Sequence, residues 1–214
     1  MSHHHPLFAR FYARTSLLMD RGLGTHRRTL LDGLAGRVLE VGAGNGLNFP
    51  HYPGSVTEVL AVEPEPHLRA LAQTRASQDD GQIKVPVKVV DGWADRLPAD
   101  DGSCDAAVAS LVLCSVPDQA TALAEIARVL KPGGQLRFLE HVRNPRTARR
   151  RVQQTLDATG IWPWFGGGCH CSRDTLTAIE NAGFTTGHVE TLTSADTGVP
   201  FPTAPQIIGT ASRA

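Results

Sequence analysis

The sequence carries no excess of charge of either sign: 21 basic side chains stand against 21 acidic ones. No general electrostatic pull toward nucleic acid or an anionic membrane is available, so a small, neutral or weakly charged substrate is the expected partner. Long apolar runs are missing too. The longest, residues 106–116, is far short of the roughly 20 residues that span a bilayer, and its β-branched content marks a buried strand. The start, Met1-Ser2-His3-His4-His5-Pro6, lacks a basic region followed by an apolar stretch; no secretory signal is expected, and a cytoplasmic location is. Nucleic acid is not expected as a partner either. There is no basic domain and no Asn/Asp-Pro-Pro-Tyr motif for a flipped base, and Arg149-Arg150-Arg151 reads as a solvated helix face. Cysteines are scarce, four in 214 residues, and their placement argues against a disulfide framework. Cys104 and Cys114 flank the predicted strand, about 33 Å apart along extended chain, whereas a bridge needs α-carbons within about 7 Å.

What is present is enough apolar material, 41% of residues, to bury a sizeable core as one domain. Short apolar runs predict strands over residues 38–41, 56–62, 85–90, 105–113 and 135–140. Helices are predicted between them: over 67–73, with Pro66 in the first turn, and over 118–130. In the second, Ala122, Leu123, Ile126, Ala127 and Leu130 recur at helical spacing until Lys131-Pro132-Gly133-Gly134 stops them. A basic helix-like stretch follows Arg146, a helix over 175–182 ends at Gly183, and late strands complete the chain. Strands alternating with helices imply βαβ units and a doubly wound, mostly parallel α/β sheet. At the start, Phe8, Phe11, Tyr12, Leu17, Leu18 and Met19 are spaced for one or two amphipathic helices. The expected organisation is a single domain over 1–214: a helical cap over 1–35, a cofactor-binding core over 36–142 and a substrate-side segment over 143–214.

The sharpest motif is Leu39-Glu40-Val41-Gly42-Ala43-Gly44-Asn45-Gly46. Glycines at a strand-to-helix turn let backbone approach a ligand as no residue with a side chain could, and in open α/β sheets that turn is where nucleotides bind. The dinucleotide fingerprint G-x-G-x-x-G is not matched, because the third glycine comes one position early and Leu47 takes its place. Glu40 stands just before the turn. Its carboxylate would repel a pyrophosphate and attract the ammonium of a methionine moiety, directly or through water. That charge favours S-adenosylmethionine over NAD. Glu63-Pro64 closes the second strand about 20 residues on, where a carboxylate can accept both ribose hydroxyls. Asp91-Gly92-Trp93-Ala94-Asp95 follows the third strand, a place for adenine to rest, with either Asp91 or Asp95 able to read it. Ser110 and Leu111, in the fourth strand, complete the candidate cofactor set.

These motifs resemble a known family. Residues 36–134, with the glycine turn, Glu63, Leu97-Pro98, Asp105 and Arg128-Val129-Leu130-Lys131-Pro132-Gly133-Gly134, are similar to class I S-adenosylmethionine-dependent methyltransferases related to the ubiquinone and menaquinone C-methyltransferases. A nearer resemblance is to the methyltransferase-like thiol S-methyltransferases. It rests on Asn48-Phe49-x-x-Tyr52-Pro53, Leu111-Val112-Leu113-Cys114-Ser115-Val116, Glu140-His141-Val142 and Gly168-Cys169-x-x-x-Arg173. The resemblance implies a Rossmann-like seven-stranded sheet, S-adenosylmethionine as cofactor with S-adenosylhomocysteine as product, and a small thiol as acceptor. C-, O- or N-methylation of a quinone, phenol or phospholipid head group is the alternative, and an NAD-dependent oxidoreductase the alternative from another class. The animal proteins carry an N-terminal hydrophobic anchor that this sequence does not show, so membrane attachment is not expected, and the tail beyond Phe184 matches poorly.

Methyl transfer from a sulfonium asks the protein mainly to orient and desolvate a nucleophile. For a thiol, one nearby cation or donor suffices to stabilise the thiolate. His141, His170 and Arg173 are the candidates, with His141 foremost because it lies past the carboxyl end of the fifth strand. Cys169-His170-Cys171 is not expected to hold metal: a structural zinc wants four ligands, usually with two or more residues between paired cysteines, and no second pair lies nearby in sequence. Trp162, Trp164 and Phe165 suggest an apolar lid or packing against the N-terminal helices.

Overall fold

Short aliphatic runs bounded by glycine turns become the strands of one sheet in the computed structural model, which describes residues 6–78 and 81–214, without the side chains of 6–8 and 18–21. His3, His4 and His5 lie outside the described residues, as do the side chains of Phe8, Leu18 and Met19. The strands are β1 (Gly36–Val41), β2 (Val56–Val62), β3 (Val87–Val90), β4 (Cys104–Ser110), β5 (Leu130–His141), β6 (Phe184–Leu192) and β7 (Gln206–Arg213). Their order is β3-β2-β1-β4-β5-β7-β6. The first five run parallel; β7 is antiparallel to both β5 and β6. The expected doubly wound, mostly parallel seven-stranded α/β sheet is present.

The sheet is buried on both faces. Leu39, Val41, Leu60, Val62, Ala107 and Ala109 share one core; Val38, Val59, Ala61, Ala106 and Val108 share the other. That is the period-two alternation of a strand, with apolar residues at every position because helices cover both sides. The helices are α1 (Pro6–Leu31), α2 (Pro66–Ala76), α3 (Gln119–Val129), α4 (Thr147–Ala158), α5 (Ile161–Phe165), α6 (Thr175–Asn181) and α7 (Ser194–Thr197). Their starts follow capping chemistry: the Glu65 side chain accepts from Leu68 N ahead of α2, and Asp118 accepts from Ala120 N ahead of α3.

The N-terminal segment, expected as one or two helices, is one helix of 26 residues, continuous through Gly22 and Gly24. Two other sequence expectations change. The fourth strand stops at Ser110 rather than running to 113, because Leu111 takes a left-handed conformation, φ 60°, that no strand can contain. The Lys131-Pro132-Gly133-Gly134 turn does end α3, but β5 already begins at Leu130 and its register shifts before Gln135 pairs with Ala106.

α1 is laid over the sheet by Leu23, Leu30 and Leu31, all buried, and meets the short helix α7 at Gly22. A Cβ built on Gly22 would stand 2.0 Å from the carbonyl oxygen of Thr197. Gly22→Ala must therefore push α1 off α7. The expected loss is about 1–3 kcal/mol, the usual cost of overpacking a close contact, against the small gain alanine brings to a helix interior; urea unfolding of the two proteins measures it.

Candidate active site

The strand order reverses between β1 and β4, and the crevice outside the carboxyl ends of those strands is where this architecture takes ligands. The glycine turn after β1 and the Ser110-Leu111 end of β4 face each other there. Gly42 and Gly46 have φ of 64° and 78°. A Cβ would stand 2.5 Å from Val112 Cγ2 at the first and 2.5 Å from Phe49 Cε2 at the second. Both positions need glycine for conformation and for space. Leu111 is the one positive-φ non-glycine residue among those described, a strained position of the kind that gathers at functional sites.

Two buried carboxylates hold the turn. Glu63 accepts from Gly44 N at 2.7 Å with one oxygen and from Glu65 N at 2.9 Å with the other, so the ends of β1 and β2 are tied together. Glu40, almost fully buried, accepts from Asn48 Nδ2 and from the Tyr52 hydroxyl, each at 2.8 Å. Arg27 of α1 donates to Asn48 Oδ1 at 2.8 Å and to Ser110 Oγ at 3.4 Å. Its positive charge favours ionisation of Glu40, yet desolvation dominates and raises the Glu40 carboxyl from 4.5 to about 7. Burial raises Glu63 as well. Asn45 reaches up to Ser16 Oγ of α1 at 3.1 Å, and Tyr12 of the same helix approaches Gly44. The cap therefore lies directly over the turn.

Past β3, Gly92 packs so closely that a Cβ would stand 2.8 Å from Val62 Cγ1. Trp93 is more than one-third exposed, and Ala94 packs against the core. Asp91 pairs with Arg69 at 2.9 Å, and the same guanidinium nitrogen donates to Pro64 O at 2.9 Å. Glu40, Gly42, Gly44, Asn45, Gly46, Glu63, Pro64, Gly92, Trp93, Ala94, Ser110 and Leu111 thus share one edge of the sheet.

The substrate-side candidates are arranged differently. His141, at the end of β5, turns Nδ1 toward two sulfurs, Cys114 Sγ and Cys169 Sγ, each 3.4 Å away. Its Nε2 is buried without a partner among the described residues. Arg173 donates through Nη1 to the carbonyls of Leu113 and Val116, both at 2.7 Å, and so binds its loop to the turn after β4. His170 lies 2.7 Å through Nδ1 from Gly168 O. Of the three, only His141 reaches the cysteine cluster through a side-chain nitrogen. Trp162 packs against the cysteines, whereas Trp164 and Phe165 are 66% and 63% exposed and meet edge to face, ring centroids 4.7 Å apart.

Sequence reasoning did not assign Arg27, Asn48, Tyr52 or Glu140. Glu140 is fully buried and its carboxylate accepts three backbone N–H groups, from Val112 at 3.0 Å, Leu113 at 2.9 Å and Cys114 at 3.1 Å. A charged residue at the apolar end of a strand was the available signal, since such a group is buried only with partners.

A methyltransferase-domain family model matches residues 39–138. Human thiol S-methyltransferase TMT1B is 38% identical over 157 residues, 72% of this chain and 63% of that protein. Human thiol S-methyltransferase TMT1A is 32% identical over 186 residues, 83% of this chain and 75% of the relative. The chain belongs to the class I S-adenosylmethionine-dependent methyltransferases. A solved S-adenosylmethionine-dependent methyltransferase of Thermotoga maritima has the same fold, with a TM-score of 0.69 at 22% identity over 97% of this chain and 98% of that one. The chain spans a little under two thirds of TMT1B, 63%. Membership of this family sets aside the NAD-dependent alternative. Among the described residues no helix of this methyltransferase is long and apolar enough to cross a membrane.

The sequence expectation that Glu40 takes the ammonium of the cofactor predicts proton-linked binding. The folded pKa of Glu40 lies above the unfolded value, so the carboxyl weakens the fold as pH rises from 4.5 to about 7. An ammonium placed beside it favours the carboxylate, so below about pH 7 binding must expel a proton. Affinity for S-adenosylhomocysteine is expected to fall by up to about tenfold per pH unit below that point, and calorimetry in two buffers of different ionisation enthalpy should count close to one proton released. Glu40→Gln should release none; the same proton count in that variant would refute the assignment.

Proposed function

We propose that this methyltransferase transfers the methyl group of S-adenosylmethionine to the sulfur of a small thiol in the cytoplasm. What carries the cofactor part of this reading is the pair of buried carboxylates bracketing the glycine turn at the strand-order reversal. Glu40 takes the methionine ammonium, directly or through water, and Glu63 the ribose hydroxyls. The backbone of Gly42, Gly44, Asn45 and Gly46 lies along the cofactor; Pro64, Gly92, Trp93 and Ala94 border the adenosine, and Ser110 and Leu111 the methionine side. The thiol part is supported by relatives named thiol S-methyltransferase at 32–38% identity. Four cysteines with no disulfide suit a reducing compartment.

The chemistry asks little more of the chain. The thiolate sulfur attacks the methyl carbon in line, the new S–C bond forms as the sulfonium C–S bond breaks, and anion and cation give two neutral thioethers. Charge disappears in the transition state, so exclusion of water by α1 over the turn favours the reaction. His141 Nε2, buried and without a partner among the described residues, is the donor assigned to the incoming thiolate. Arg173 through its guanidinium and His170 through its backbone N–H to Cys114 O hold the 166–173 loop against the turn after β4.

Incubation with labelled S-adenosylmethionine and a panel of small thiols, phenols and quinones tests this. Label should enter thiols, at a rate that climbs with thiolate fraction as pH approaches about 8.5. Methylation of phenols or quinones with thiols inert would overturn the acceptor and leave the cofactor assignment standing.

A further inference from the structure

We infer that Cys114, His141, Cys169 and Cys171 form a binding site for a borderline-soft divalent metal of the zinc class, which clips the substrate-side loop to the sheet. Cys114 Sγ, His141 and Cys169 Sγ present ligand atoms that all lie within 4.8 Å of one another. A tetrahedral zinc with bonds of about 2.3 Å to sulfur and about 2.0 Å to nitrogen needs neighbouring ligand atoms about 3.5–3.8 Å apart. The two S···Nδ1 separations are 3.4 Å; Cys171 Sγ, 3.9 Å from Cys169 Sγ but outside that compact trio, closes the fourth position by turning inward as the metal binds. All three sulfurs are buried.

As plain thiols, the sulfurs satisfy this geometry only by competing for one acceptor and turning to one another. Two sulfurs converge on one Nδ1, which has a single lone pair and can accept a single S–H. A metal at that point takes the lone pair and both sulfurs at once, each thiol giving up its proton to solvent as the thiolate binds.

The backbone at each sulfur is fixed before any metal arrives. Cys114 N donates to Glu140 at 3.1 Å, Cys169 N to Gly166 O at 3.2 Å and Cys171 N to Asp157 at 3.1 Å. His170 N donates to Cys114 O at 2.8 Å, and Gly168 approaches so near that a Cβ there would stand 2.9 Å from Ser115 O. Three segments remote in sequence, the turn after β4, the end of β5 and the loop after α5, are thereby brought to one point with the ligand atoms of Cys114, His141 and Cys169 preorganised. Counting donors along the chain could not find this set, since Cys169 and Cys171 are separated by one residue and the other two ligands come from elsewhere.

The site does not depend on the identity of the methyl acceptor, so its test is made without turnover. The full chain, purified under reducing conditions and gel-filtered, should carry one zinc per molecule by elemental mass spectrometry. After chelation and exchange, Co²⁺ should give the intense visible band of a tetrahedral ion together with near-ultraviolet sulfur-to-cobalt charge transfer. Cys114→Ser and Cys169→Ser should weaken cobalt binding by more than about tenfold, the lower end of what an outer-shell change alone costs. Cys171→Ser should keep the visible band and lose about one third of the charge-transfer intensity, one of three thiolates. Cys104→Ser, a buried cysteine beside Ser103 and outside the cluster, should change nothing. Reduced wild-type protein that neither retains zinc nor develops the cobalt bands would overturn the site, as would a Cys169–Cys171 disulfide found as the resting form or equal weakening by Cys104→Ser.

Discussion

A buried carboxylate must find hydrogen-bond donors, and at the carboxyl edge of this sheet three of them do so by taking hold of the turns that follow the strands. Glu63 holds the amide of Gly44, Glu40 holds Asn48 and Tyr52, and Glu140 holds three successive amides from Val112 to Cys114. Each turn would otherwise be a length of irregular backbone with unpaired N–H groups beside an apolar core. The same bonds that satisfy the carboxylates shape the crevice where the strand order reverses.

The consequence is an edge lined with buried carboxyl groups whose ionised form the protein itself only partly supports. Arg27 is the buried cation near Glu40, and desolvation still pushes Glu40 and Glu63 toward the neutral form. A cofactor that is cationic at both its ammonium and its sulfonium suits such an edge; a diphosphate does not. The methyltransferase family to which the chain belongs and the electrostatics of its crevice therefore agree for a physical reason. α1 contributes twice, supplying Arg27 to the network and covering the glycine turn through Tyr12 and Ser16.

Glu140 joins the two halves of the site. By ordering residues 112–114 it presents Cys114 toward His141, while Arg173 grips the same turn from the other side through Leu113 and Val116. The loop carrying Cys169 and Cys171 is thus docked on the turn that borders the cofactor crevice. In that same turn, Val112 fills the space left by the missing side chain of Gly42.

The sequence by itself determined the strand pattern, the glycine turn and the two acidic residues at the ends of β1 and β2. Those features are local: apolar period, chain stiffness and the spacing of glycines act within a few residues and leave a readable pattern. Residues 56–62 appear as a strand with the expected bounds because β-branched residues between turn formers allow little else. Only the tertiary structure decided where the fourth strand stops, since Leu111 is forced into its left-handed conformation by a turn anchored on Glu140 from another strand. It alone decided that Arg27 reaches Asn48, that Arg173 ties down a loop, and that Cys114 and His141 meet Cys169. Such contacts join residues tens of positions apart, and their partners are chosen by the packing of the sheet and helices, which no short stretch of sequence encodes.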